Sequence, residues 1–233
     1  MSVSCVWEHN GNDTLLYCVD FPGAYTRGSS LQEAAEKIPA EVRSYCRWGG
    51  LELPFDMDVK VVQEAACDLN ISDADSDVIF ESETRPLTID EYQKLKSLVL
   101  KSTGDFLHLY HSIPDPNRII SVSRRTFYGA VPASAEEMYQ HTKNVNSYYF
   151  GEIGVDADND GDILACRMRG FDKLEAMPDF LNNRVVDGSY GEQWSLRKML
   201  RRFLWHDRIH AKAMYRRSCA AFPNADISNV FFF

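Results

Sequence analysis

The chain has 233 residues, 45% of them hydrophobic and 25% charged, with a formal net charge of −9. That length and balance suit one large or two small soluble globular domains, and so acidic a chain lacks the positive footprint of a general nucleic-acid binder. No run approaches the roughly 18 apolar residues of a membrane-spanning helix, and residues 1–8 have neither the basic nor the apolar region of a signal peptide.

In chain order, residues 4–9 and 14–19 read as short strands joined by a hairpin turn at Asn10-Gly11-Asn12-Asp13. Phe21-Pro22-Gly23 then punctuates the chain. Ser30-Leu31-Gln32-Glu33 is a capping box that opens a helix with Leu31, Ala34, Ala35, Ile38 and Val42 on one side. The helix is expected to close near Gly49-Gly50, with Pro39 kinking it or shifting its start. Residues 58–65 and 77–81 read as further strands, before an acidic linker that ends in Arg85-Pro86.

From Thr88 the grammar becomes helical. A second capping box, Thr88-Ile89-Asp90-Glu91, leads into Tyr92, Leu95, Val99, Phe106 and Tyr110, stopping before Pro114. A third, Ser134-Ala135-Glu136-Glu137, precedes a helix over residues 138–153; another helix covers 162–177, and the last runs from about 192 to 219. Four amphipathic helices predict a four-helix bundle. The division expected is therefore an α+β module over residues 1–82, a small antiparallel sheet with one helix, followed by an all-α bundle over 86–233. The Phe231-Phe232-Phe233 tail should dock on the body, because three exposed phenylalanines are a liability. Six scattered cysteines without a CxxC motif point to reduced thiols and a cytoplasmic location.

The histidines carry the chemistry. His206 and His210 lie one turn apart on the last helix, and at 100° per residue Leu196, Met199, Phe203, Ala213 and Met214 fall on the same side. His141 shares its helical side with Met138, Val145, Tyr148 and Tyr149. Three imidazoles facing a core each need a partner, and one divalent metal satisfies all three while leaving positions open for water or substrate. The alternative is three separately satisfied core histidines. His108, His111 and His9 read as peripheral.

On these residues the chain from about Thr88 to Arg217 resembles the DinB-like four-helix-bundle family, with one histidine on the second helix (His141) and HxxxH on the fourth (His206, His210). The resemblance implies a divalent metal, nickel or zinc, held by those three residues. It also implies a thiol-dependent transferase or isomerase acting on a small molecule with a low-molecular-weight thiol, and a homodimer by analogy; a metal of this kind would equally serve a hydrolase, and the sequence does not choose among the three. The N-terminal segment is similar to a HicB-like antitoxin domain, through Cys18-Val19-Asp20-Phe21-Pro22-Gly23 and the helix opening at Gly28–Ala34, with Pro39 departing from that pattern. The rival reading is a non-enzymatic interaction protein, whose HicB-like module binds a partner protein and whose bundle is a metal-stabilised scaffold.

Three other signals compete. Asp156–Ile163 matches the first half of an EF-hand calcium loop, but its twelfth position is Arg167, so an acidic turn capping the next helix is the plainer account. The last helix carries Arg197, Lys198, Arg201, Arg202, Arg208, Lys212, Arg216 and Arg217. A solvated basic face is the simplest reading of them, with an anionic-substrate or thiol clamp near the metal and RNA binding as rivals. Arg202, one turn before His206, is the member to test. Glu152, about 16 Å from His141 along the helix, is too far to be a fourth ligand and should partner a buried arginine or stand at the mouth of the site.

Overall fold

The computed structural model describes residues 2–54, 56–121, 124–126 and 129–233. Among the described residues the chain is α+β: a small mixed sheet with one α-helix, then four further α-helices. Strands β1 (Ser2–His9), β2 (Thr14–Cys18), β3 (Tyr25–Gly28) and β4 (Asp58–Ala66) form one sheet in the order β3-β2-β1-β4. β1–β2 and β2–β3 are antiparallel, as hairpins must be, but β1–β4 is parallel, with a register shift at Cys5/Val6. The expected all-antiparallel sheet is thus corrected to a mixed one. The reason is the helix α1 (Leu31–Gly49), which carries the chain across between β3 and β4 so that β4 runs alongside β1.

Ser30 caps α1, its hydroxyl accepting from Glu33 N at 3.2 Å, and Gly50 closes it in the left-handed conformation. Pro39 does not shift the start of the helix, which runs from Leu31 past it to Gly49. Residues 77–81 do not form the expected strand. Their backbone groups are met by side chains instead: Asp77 N and Val78 N each donate to Glu8 Oε1 at 3.1 Å, and Glu81 N donates to Gln63 Oε1 at 2.8 Å. A 3-10 turn, Glu81–Thr84, follows.

The remaining helices are α2 (Ile89–His111), α3 (Ala135–Glu152), α4 (Ile163–Glu175) and α5 (Leu196–Ala221). Thr88, Ser134, Asp162 and Ser195 cap them through side-chain oxygens, each on the backbone N–H three residues on. α5 begins at Leu196 rather than near 192, because Gln193–Trp194 first pairs with Val186–Asp187. One apolar cluster runs from Val3, Leu16 and Val42 through Val99, Phe106 and Phe150 to Phe203 and Phe231, so the sheet and the helices share a core. Phe231 is the docked member of the tail, stacked on Trp48 with centroids 5.7 Å apart, whereas Phe232 is 49% exposed. No helix among the described residues is long and apolar enough to cross a membrane, and all six cysteines are free thiols.

The sheet meets α5 at close range. Gly23, with φ +90°, sits so near that a Cβ there would lie 2.6 Å from Leu204 Cβ and 2.9 Å from Leu204 carbonyl carbon. Only glycine suits both the left-handed turn and that approach.

Candidate metal centre

α5 positions the site, and ion pairs set its place. The solvated basic face expected of this helix is overturned: Lys198, Arg201, Arg202 and Arg208 are all buried. Arg201 binds Glu83 at 2.5 and 3.0 Å and lies over the Phe80 ring at 3.9 Å. Arg208 binds Glu41 at 2.7 Å, Lys198 pairs with Glu192 at 2.9 Å, and Asp207 faces the fully buried Arg167 at 3.4 Å. A buried charge survives only with such partners, and each pair fixes the rotation of α5 about its axis. Arg197 and Lys212 also make ion pairs, to Glu91 and Glu41.

With α5 so turned, His206 and His210 face α3 and meet His141. Ring centroids are 4.4 Å apart for His206–His210, 4.6 Å for His141–His210 and 5.1 Å for His141–His206. One ligand nitrogen from each residue lies within 4.8 Å of the other two, so the three histidines form a group that could hold a metal ion. Burial holds the His206 imidazole well below its usual pKa, aided by His210, His141 and the positive charges of Arg202 and Arg167. Burial also depresses His210, with His141 and Arg217 adding to it, and burial alone lowers His141. All three rings are therefore neutral near pH 7, the form in which imidazole binds metal. The chemistry of the donor set suits a divalent ion for a second reason: His206 Nδ1 is buried without a hydrogen-bond partner, a cost that coordination at this site would offset.

The trio lines a cavity of about 890 Å³. One wall is helical, with Met138, Tyr148 and Tyr149 from α3 and Trp205, Ala213 and Arg217 from α5. The rest of the lining includes Leu69 and residues 73–77 of the N-terminal part, with Tyr25 and Arg27 of β3. That segment is tied down from below. Tyr17 hydroxyl donates to Ser76 Oγ at 2.7 Å, Lys198 Nζ to Asp77 O at 2.5 Å, and Arg202 Nη1 to Ser76 O at 2.8 Å. Arg202 thus borders the cavity while stacking over Trp205, its guanidinium carbon 4.7 Å from the ring centroid. Sequence reasoning missed this part of the lining and β3; the acidic run Asp73–Asp77 was its one visible trace.

The other flagged residues lie elsewhere. His108 and His111 are exposed, and His9 stacks on Trp7 and pairs with Glu64 at 3.0 Å. Among the described residues Glu152 belongs neither to the histidine group nor to an ion pair with an arginine: its Oε2 accepts from Ser189 N at 2.7 Å. It thereby holds the turn that presents Tyr190, 97% exposed with φ 61°, at the mouth of the cavity. Tyr149 is buried packing, and Tyr148 is half-buried on the cavity wall. In the Asp156–Ile163 turn, Asp158 pairs with Arg169, which also takes Asp160 O at 2.6 Å, and Asp162 caps α4. An arginine sits where a cation would, and the Asp158 carboxyl is held at about 2, first by that hydrogen bond.

No known protein family, curated protein or solved structure matches the chain.

Proposed function

We propose that this protein is a divalent-metal-dependent enzyme of the DinB-like type. In this reading α2–α5 form the four-helix bundle, residues 1–82 a HicB-like module, and His141, His206 and His210 hold nickel or zinc. A single observation carries it: three neutral imidazoles from two helices converge within 4.8 Å on the wall of an 890 Å³ cavity. A bound ion of that kind acts as a Lewis acid and lowers the pKa of a water or thiol presented to it.

The chain's own residues supply the rest. Burial keeps the imidazoles unprotonated, so they are available as donors at neutral pH. Tyr148 and Tyr149 have phenols pushed up by burial, so they stay protonated and bind rather than act as bases. The cavity is large enough for a small molecule together with a low-molecular-weight thiol, which favours thiol transfer or thiol-assisted isomerisation, in the cytoplasm, over a closed structural site. That same open cavity argues against the metal-stabilised scaffold. Elemental analysis of untagged protein tests the reading: about one equivalent of nickel or zinc is expected, lost in His210→Ala. An assay of thiol transfer to electrophiles then follows on the loaded protein. Unchanged metal content in His210→Ala would sink the ligand assignment.

A further inference from the structure

The charged groups around the cavity are not equally engaged. Asp73 pairs with Arg124 at 2.6 Å, Asp75 accepts from Asn70 N at 3.2 Å, and Glu192 pairs with Lys198, while Asp77 stands at the exposed rim. Among the cations, Arg27 donates to Ser72 O at 3.2 Å, Arg202 to Ser76 O, and Lys212 to Glu41. Arg216 and Arg217 are different. Neither makes a hydrogen bond or ion pair among the described residues; Arg216 is exposed, but Arg217 is half-buried on the cavity wall.

Arg217 follows His210 by seven residues, two turns of α5, so it stands on nearly the same side about 10.5 Å further along. Helical side chains lean back towards the N-terminus, which brings the guanidinium towards His210 over the small Ala213. A half-buried guanidinium offers a rigid fork of donors matched to a carboxylate or phosphate, and here no protein acceptor fills it.

We propose that Arg217 anchors an organic anion, holding the carboxylate or phosphate of the substrate so that its other end lies over His141, His206 and His210. The inference rests on the metal-site reading for the identity of the reacting end, but not for the anion contact itself. Arg217 is a binding residue in this scheme, and Arg216 contributes charge at the rim.

The test uses the full chain, zinc-loaded and zinc-free, titrated with benzoate, with phenyl phosphate and with the neutral isostere benzamide. Binding is followed by tryptophan fluorescence, since Trp205 lines the cavity. At least one anion should bind about tenfold or more tightly than benzamide, and which one does so tells carboxylate from phosphate. Arg217→Gln should erase that preference and Arg217→Lys keep part of it, both with wild-type zinc content and far-ultraviolet circular dichroism; Arg216→Gln should weaken binding by a few-fold at most. A preference that survives in Arg217→Gln overturns the proposal, as does equal binding of anion and benzamide by the wild type. If the wild type takes up no zinc, the metal reading fails by itself, and the zinc-free titrations still decide the role of Arg217.

Discussion

The charged residues and the histidines of α5 make opposite use of burial. Arg201, Arg208, Lys198 and Asp207, spread around the helix, each meet an opposite charge: Glu83, Glu41, Glu192 and Arg167. His206 and His210 instead converge with His141, like upon like. Opposite charges hold the helix, while the histidines bring together three donors that could hold a metal ion. Paired charges fix where the helix lies, and the imidazoles are what it is placed to present.

The comparison can be broken first on its paired side. Glu41→Ala strands Arg208 and Lys212 and should cost about 3–5 kcal/mol in chemical denaturation, while zinc content of the folded fraction stays that of the wild type. Adding Arg208→Met should recover much of the loss; a Glu41→Ala cost below about 1 kcal/mol would mean the pairs do not set the helix. On the imidazole side, zinc at a hundredfold excess over its Kd should stabilise the wild type by about 2.7 kcal/mol and leave His206→Ala unmoved. Equal stabilisation of both would remove His206 from the site.

Acid sharpens the contrast. The folded-state pKa values of His206 and His210 lie below the ordinary value near 6.5, so the unfolded chain takes up protons first as pH falls. Above that value the two states hold the same protons at these rings and stability is at its full level. Below it, zinc-free protein should lose up to about 1.4 kcal/mol per pH unit for each ring that stays neutral. A denaturation series from pH 8 to 5 in a chelator checks this, and replacing both histidines by Gln should flatten the decline. The smallest effect expected is that of Ser134→Ala, which uncaps the helix carrying His141 and should cost about 1 kcal/mol in thermal melts.

The histidine trio was legible because helical periodicity is local: four residues set His206 beside His210, and the apolar neighbours of His141 set its direction. The same local rules gave the caps at Ser30, Thr88 and Ser134. They failed where the answer depends on distant partners. The arginines of α5 read as a solvated face because Glu41 and Glu83, 167 and 118 residues away from Arg208 and Arg201, cannot be seen in a helical window. Residues 77–81 read as a strand because β-prone side chains say nothing of Glu8 taking the backbone amides first. Parallel pairing of β4 with β1 is likewise a matter of topology rather than of residue type.

The glycine at position 23 ties these parts together mechanically. Its missing methyl lets the sheet touch the backbone of Leu204 and Trp205, immediately ahead of His206. An alanine there would wedge the helix outwards by a few tenths of an ångström at the least, spreading nitrogens that now lie within 4.8 Å of one another. The spacing of the three histidines thus depends on an atom that the turn at Gly23 does without, and that spacing would register the change before any loss of secondary structure did.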